Sequence, residues 1–204
     1  EAFKFADGTV INYRQLVQNT FIVQGDFGDD ALTGTNLTDR LYGYEGFDRL
    51  ESRGGNDTLT GGTGNDELIG GAGSDTYVFN LGDGVDTIQD TATDAEGNLI
   101  VFGEGITRND LKLKVSSQVS GISGQEENIL TIEIGTNGDI INILNFNPDN
   151  PNVRTVEFAD GTQVPLRDLL DPGTEGDDII NTGASDDIIN ARDGNDIVNA
   201  GEGN

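Results

Sequence analysis

Three aspartates, Asp57, Asp66 and Asp75, recur at intervals of nine residues, each inside a unit of the same grammar. The units read SRGGNDTLT, GGTGNDELI and GGAGSDTYV: small residues and glycines, an Asp at the sixth place, and one large apolar residue, Leu59, Leu68 or Tyr77, at the eighth. Counting back by nines reaches Asp48, Asp39 and Asp30, with Leu50, Leu41 and Leu32 in the apolar slot. Glycine-rich turns expose backbone carbonyls beside these carboxylates. The chain has no His and no Cys, so its candidate ligands are oxygens. An all-oxygen set of carboxylates and carbonyls suits Ca2+, which takes about six to eight of them, better than it suits zinc or copper.

The period dictates the elements that must hold these groups. A fixed nine-residue repeat signals a solenoid. In each unit the glycine-rich part turns, and the last three residues form a short strand whose eighth-place side chain points inward, because side chains alternate faces along a strand. Two units make one coil, and successive coils stack as parallel strands ~4.8 Å apart. On that geometry Asp30, Asp48 and Asp66 line one edge, and Asp39, Asp57 and Asp75 line the other. Carboxylates stacked ~5 Å apart repel by about 3 kcal/mol at an effective dielectric near ~20, so a metal-free array opposes its own folding and a bridging dication reverses the sign. The expected bridges are Asp30/Asp48, Asp48/Asp66, Asp39/Asp57 and Asp57/Asp75.

These units resemble the repeats-in-toxin (RTX) family, whose glycine-rich nonapeptides form calcium-bound parallel β-rolls. The resemblance implies an all-β fold with several Ca2+ ions, held by the sixth-place Asp and by backbone carbonyls of the turn. Carried onto this sequence, the metal carboxylates are Asp30, Asp39, Asp48, Asp57, Asp66 and Asp75. The carbonyl ligands are those of Gly55, Asn56, Gly61, Thr63, Gly64, Gly70, Ala72 and Gly73. Two outer turns depart from the pattern, with Leu37 at a glycine place in GTNLTD and Tyr44 at the second place in GYEGFD. For the Asp39 turn the competing reading is a turn that continues the solenoid without metal. After Tyr77 the spacing slips, and LGDGVDTI puts Asp86 eleven residues beyond Asp75. That segment reads as the last, modified turn of the roll, with Asp86 and Asp83 completing a site with Asp66 or Asp75.

Composition agrees. Among 204 residues there are 30 Gly, and 37 acidic residues against 11 basic ones give a net charge of -26. The phasing of the acids separates them from a merely solvated or disordered acidic surface. Such acidity argues against nucleic acid, which is recognised by basic faces. No run of 18 apolar residues exists, so no transmembrane helix is expected. Without His or Cys, Ser-His-Asp and Cys-His arrangements and the common zinc sites are out of reach. No nucleotide-cradling glycine motif and no GxSxG occurs either. The expectation is a chain without catalytic activity; the Asp171-Pro172 bond, a labile type, is a self-cleavage site only if calcium triggers it.

The domain organisation follows from a second, longer repeat. Phe5, Ala6, Asp7, Gly8 and Thr9 return as Phe158, Ala159, Asp160, Gly161 and Thr162, an offset of 153 residues. Residues 1–20 therefore read as the end of a preceding capping domain, with FKF and TVI as strands and NYRQLV as a brief helix capped by Asn12. Residues 21–90 are the first roll. Residues 91–172 hold the strands NLIVF, LKLKV, ILTIEI, DIINIL and VRTVEF, a helical turn at ITRND, and polar loops at 116–128 and around Pro148 and Pro151. Its phrases FGEGITRNDLKLK and VEFADGT resemble the haemolysin-type calcium-binding-related domain, expected here as a small mainly-β cap or linker. Residues 173–204 open a second, truncated roll, with Asp178, Asp187 and Asp196 in the sixth place and Ile180, Ile189 and Val198 in the apolar slot.

The resemblance implies a secreted bacterial protein built of tandem units, exported unfolded and folding on Ca2+ outside the cell: an adhesin, surface-layer or fibre module that contacts neighbouring units or itself. One alternative is the secretion and folding cassette of a toxin or hydrolase whose active domain lies elsewhere. Another is a carbohydrate- or receptor-binding module.

Overall fold

The computed structural model describes residues 2–4, 6, 8, 10–12, 21–90, 97–119, 126–147, 151–170, 179–181, 195 and 197–199. The chain divides into two compact units, Glu1–Gln163 and Val164–Asn204.

In the first unit, β1 (Ala2–Lys4) and β2 (Val10–Asn12) form an antiparallel hairpin. The strands that follow then alternate between two sheets. One sheet takes β3 (Phe21–Gln24), β5 (Asp39–Gly46), β7 (Thr58–Gly64), β9 (Thr76–Phe79), β11 (Asn98–Phe102) and β15 (Val153–Glu157), with every neighbouring pair parallel. The other takes β4 (Ala31–Thr33), β6 (Arg49–Glu51), β8 (Glu67–Ile69), β10 (Val85–Gln89) and β14 (Asp139–Ile143), again parallel. Beyond β14 this sheet turns antiparallel through β13 (Glu126–Ile134) and β12 (Leu111–Val119). Chain passing from one sheet to the other and back makes one coil of a parallel β-roll, as the nine-residue period requires.

The core is a pair of side-chain columns. Register sets Leu41 against Leu59, Leu59 against Tyr77 and Tyr77 against Ile100 on one sheet, and Leu50 against Leu68 and Leu68 against Ile88 on the other. All seven side chains are fully buried. Strands β5 to β8 each supply one such residue because the pleat sends its neighbours outward, while β9 and β11 bury a second, Phe79 and Phe102, two places on.

The structure corrects two boundaries read from the sequence. Beyond Asp86 both sheets go on: the described strands β11, β14 and β15 extend them within the same compact unit, where the sequence reading set a separate cap. The expected loop over 116–128 is shorter. Ser116 pairs with Ile129 and Val119 with Glu126 in the β12–β13 ladder, which leaves only 120–125 outside the described residues. The helical turn at ITRND is present as a 3-10 turn over Arg108–Asp110, closed reciprocally by Thr107 and Asp110.

The long repeat is visible in the coordinates. Shifted by 153 residues, β1 falls on Thr155–Glu157 of β15, and β2 falls on β16 (Gln163–Pro165). The turn between them uses a glycine in the left-handed region both times, Gly8 at φ 88° and Gly161 at φ 82°. Asn12 ends β2, while the rest of the expected helix at 13–17 lies outside the described residues. The second unit contains α1 (Leu166–Leu170) and the parallel pair β17 (Ile179–Asn181) and β18 (Ile197–Asn199), 18 residues apart as two units of nine demand.

Candidate metal-binding edges

Each sixth-place Asp closes the turn of the coil before it. The backbone N–H of Asp39 donates to Oδ1 of Asp57 at 2.7 Å and that of Asp57 to Oδ1 of Asp75 at 2.9 Å. On the other edge Asp30 donates to Asp48 and Asp48 to Asp66, both at 2.8 Å. The two ladders sort the acids into the sets expected from parity.

One oxygen of each carboxylate is thus committed to the backbone, and the other is left over. Oδ2 of Asp48, Asp57 and Asp66 is buried with no hydrogen-bond partner. A buried charged oxygen without a donor is costly unless a cation meets it. The residues present therefore fit a hard dication, and the leftover oxygens mark where it would be held. Asp39 differs, because Thr35 donates to its Oδ2 through both N–H, at 2.6 Å, and Oγ1, at 2.9 Å. Asp30 is closed in the same way by the N–H of Asp26 at 2.7 Å. In these two turns Oδ2 is taken locally; at Asp39 it is Oδ1 that is left buried without a hydrogen-bond partner.

Turn conformation explains the difference. In the inner turns the second-place residue lies in the left-handed region: Tyr44 at φ 84°, Arg53 at 76° and Gly62 at 105°. In the Asp30 and Asp39 turns the second-place Asp26 and Thr35 lie outside this region, and their N–H groups reach the carboxylate. Tyr44 and Arg53 hold the left-handed conformation at a cost of about 1–2 kcal/mol each relative to glycine. At the fourth place, Gly64 would collide with the Gly46 carbonyl if it carried a Cβ, as Gly73 would with the Gly55 carbonyl. Fourth-place carbonyls consequently run in file along each edge. Leu37 is accommodated at this place because its φ is not positive; its carbonyl is the floor on which Gly55 sits.

Of the other carbonyls expected as ligands, that of Ala72 accepts the Gly55 N–H at 2.9 Å and that of Gly70 accepts Ser52 Oγ at 2.6 Å. Gly61, Thr63 and Asn56 sit in the same turns as Asp66 and Asp57; Asn56 Oδ1 accepts the Ser74 N–H of the next coil at 3.0 Å. Among the described residues no three acidic side chains converge on one point, so an ion here draws on carbonyls as well as carboxylates. Asp178, Asp187 and Asp196 lie outside the described residues.

Burial pushes these acids up. Asp48 and Asp57 lie above the usual carboxylate range because water is stripped from them, against the lowering effect of the N–H each accepts. Asp66 is pushed up to about 6 by burial and by the charges of Asp48 and Asp83. Asp86 is pushed up to about 8, again first by burial, then by Asp66, Asp83 and Asp139.

The later coils decide the partner of Asp86 and also hold residues that the nine-residue count missed. Asp86 pairs with Asp66 and not with Asp75: the Asp66 N–H donates to Asp86 Oδ1 at 2.9 Å. Asp75 instead donates to Oδ1 of Asn98 at 2.7 Å, an amide where the other coils have a carboxylate. Asp90 stands at the place held by Gly70 one coil earlier, and its carboxylate accepts the hydroxyl of Tyr77 inside the roll. Asp139 accepts the N–H groups of Gly82 at 2.9 Å and Gly84 at 3.2 Å. Its sequence signal is the phrase Asp-Ile-Ile-Asn at 139–142, which recurs at 178–181 and 187–190.

The family comparison bears on these same turns. Residues 33–66, 42–77, 52–88 and 172–204 each match the RTX calcium-binding nonapeptide repeat. The chain carries RTX repeats. Such repeats bind calcium, several ions to an array, so the all-oxygen edges have their cofactor. Among solved structures, the AlgE6R2 subunit of a mannuronan C5-epimerase from Azotobacter vinelandii is similar, at 24% identity over 69% of this chain and 93% of that one, with a TM-score of 0.43. The AlgE6R3 subunit of the same organism's epimerase is 26% identical over 59% of this chain and 71% of that one, with a TM-score of 0.41. No curated protein matches the chain. The RTX coils of the first unit are those with Asp39, Asp48, Asp57, Asp66, Asp75 and Asp86 on their edges.

Proposed function

We propose that this chain is a non-catalytic, calcium-loaded structural module of a large secreted bacterial repeat protein of the adhesin, surface-layer or extracellular-fibre kind. One observation carries the reading: Oδ2 of Asp48, Asp57 and Asp66 is buried without a hydrogen-bond partner, at edges whose Asp side chains already brace the next coil. Calcium held by these carboxylates and by the fourth-place carbonyls of Gly46, Gly55 and Gly64 supplies charge neutralisation between coils. The chain's own part is to present oxygens in file, exclude water from one side of each gap and keep the coils in register.

Compartment follows from affinity. Extracellular calcium modules bind at about 10⁻⁴ to 10⁻³ M, so such sites are empty where calcium is scarce and filled where it is abundant. Empty, a chain of net charge -26 repels itself. Filled, its stacked carboxylates are neutralised and the coils are braced. The hairpin that recurs after 153 residues supports tandem units, and tandem units suit a fibre or an adhesin.

Circular dichroism in chelator and in millimolar calcium tests the reading. Strand content must appear on calcium addition; equal spectra would sink it. Light scattering over the same titration shows whether filled units also assemble.

A further inference from the structure

The two ends of the roll are unlike. At the far end both core columns are closed: Ile100 is followed by Val156 and Ile88 by Ile143, and both of these last residues are fully buried. The edge strands beyond them are blunted. Strand β12 carries exposed Lys112 and Lys114, two of the chain's three lysines, and β16 ends on Pro165, which has no N–H to offer. Charged residues and proline on an edge strand keep a sheet from pairing with other chains.

The near end has none of these devices. Strands β3 and β4 stand first in their sheets, and among the described residues no strand pairs with their outer sides. Neither Phe21–Gln24 nor Ala31–Thr33 contains a charge or a proline. The columns begin at Val23, against Leu41, and at Leu32, against Leu50; Val23 and Leu32 are half-buried where Leu41 and Leu50 are fully buried. Ile22 is 62% exposed. The N–H groups of Phe21 and Gly25 bond inward to the carbonyls of Thr38 and Tyr42, and that of Gly34 to the carbonyl of Glu51. Alternation along each strand therefore turns the N–H and C=O of Ile22 and Gln24, and of Ala31 and Thr33, to the open side.

We propose, on the reading that calcium builds this roll, that the rim formed by β3 and β4 docks on the same rim of a second copy of the chain. A two-fold axis through the starts of both columns, Val23 and Leu32, makes the two rims complementary. Run antiparallel, Ile22 of one copy faces Gln24 of the other and Ala31 faces Thr33, so the residues whose backbone groups point outward meet and exchange both of their bonds. The alternation of faces is kept: Val23 meets Val23 and Leu32 meets Leu32, which joins the columns across the axis. A second copy offers two free strands at the same separation, which a single extended peptide does not. Charge agrees, because the rim strands are neutral in a chain of net charge -26, and antiparallel pairing sends the acidic turns of Asp26, Asp29 and Asp30 to opposite sides of the joint. Such a joint is isologous and closes at two chains, since the other end of each roll is the blunted one.

Sedimentation velocity of the full chain tests this. In millimolar calcium a dimer is expected whose fraction rises with concentration and whose growth stops at two chains; in chelator the chain is expected to be monomeric. Ile22→Pro and Thr33→Pro each remove an N–H on the open side and no bond to the neighbouring strand, and each is expected to weaken the dimer about tenfold or more while circular dichroism in calcium stays that of the wild type. Val115→Ser, an exposed position on the blunted β12, should leave the dimer unchanged. Hydrogen exchange of the Ile22, Gln24, Ala31 and Thr33 amides in the wild type is expected to slow as chain concentration rises, a readout that needs no variant to fold. A chain that folds on calcium yet stays monomeric, a dimer indifferent to both prolines, rim amides equally slow at every concentration, or growth past two chains overturns the proposal. Strand content that ignores calcium sinks the parent reading instead.

Discussion

The backbone N–H of Asp39 and the carboxylate of Asp57, 18 residues apart, share a 2.7 Å hydrogen bond inside the roll. Asp57 thus has two separable duties, one oxygen for the preceding coil and one for a cation. Asp57→Asn separates them. The amide oxygen still accepts the Asp39 N–H, while the charge is gone. In chelator this variant should be no less stable than the wild type, since a buried repulsive charge has been removed. In calcium it should need about tenfold or more calcium to reach the same folded fraction, equivalent to at least about 1.4 kcal/mol. Asp57→Ala should lose stability in calcium further, by about 1 kcal/mol for the missing acceptor. Calcium titrations followed by circular dichroism distinguish the three.

Fourth-place glycines should differ sharply by coil. Gly64→Ala drives a methyl into the Gly46 carbonyl at φ 149°, and a loss of roughly 1–3 kcal/mol from overpacking is expected. Gly28→Ala meets only Asp26 Oδ1 at 3.6 Å, in a backbone conformation open to any residue, and should be near neutral. Thermal unfolding in saturating calcium reads the difference; equal losses would mean that the stacked carbonyls are not what holds the coils apart.

Acid should stand in for the metal. Asp86 titrates near 8 and Asp66 near 6 in the folded chain, against 3.8 for the ordinary side chain. Between those values the folded state holds protons that the unfolded state has lost, so stability falls as pH rises from about 4 towards 8. In chelator, strand content should therefore be higher at pH 5 than at pH 8. Calcium must displace those protons, so the calcium midpoint should rise as pH falls from 8 to 5. Strand content in chelator that does not change with pH would contradict the burial of these two acids.

Tyr77→Phe keeps the ring in the core column and removes the hydroxyl that donates to Asp90. Burial, with Asp90 beside it, keeps the tyrosine's pKa well above its ordinary value, so the hydroxyl is a permanent donor. Its loss should cost about 1.5–3 kcal/mol, the range for hydrogen bonds to charged groups, at saturating calcium. Asp90→Asn in the Tyr77→Phe background should recover part of it. A thermal shift below the resolution of the measurement would place the strength of this coil elsewhere.

How much of this was legible depends on what each residue answers to. The columns of Leu41, Leu59 and Tyr77 and of Leu50 and Leu68 are local consequences of the period, as is the sorting of Asp48 and Asp57 to opposite edges. What escaped the count was non-local or broken in phase. Two added residues put Asp86 out of phase, so the sequence left its partner open between Asp66 and Asp75. Nothing near Gly82 announces that Asp139 will cap it. Tyr77 reads as one more apolar residue until Asp90 is found at the end of its ring. Leu37 reads as a defect because a glycine pattern does not say which coil has another beneath it. Asp39 was the turn in question: Thr35 takes up its Oδ2, while its Oδ1 stays buried without a hydrogen-bond partner.

The single-file stacking of the coils also fixes the shape of the chain's response to its ion. Each coil touches only the one before and the one after, so filling a gap orders both of its walls and half-prepares the next gap along. Occupancy then spreads like a zip, and the steepness of the transition grows with the number of coils in the file. A longer array needs no tighter site to switch over a narrower span of calcium.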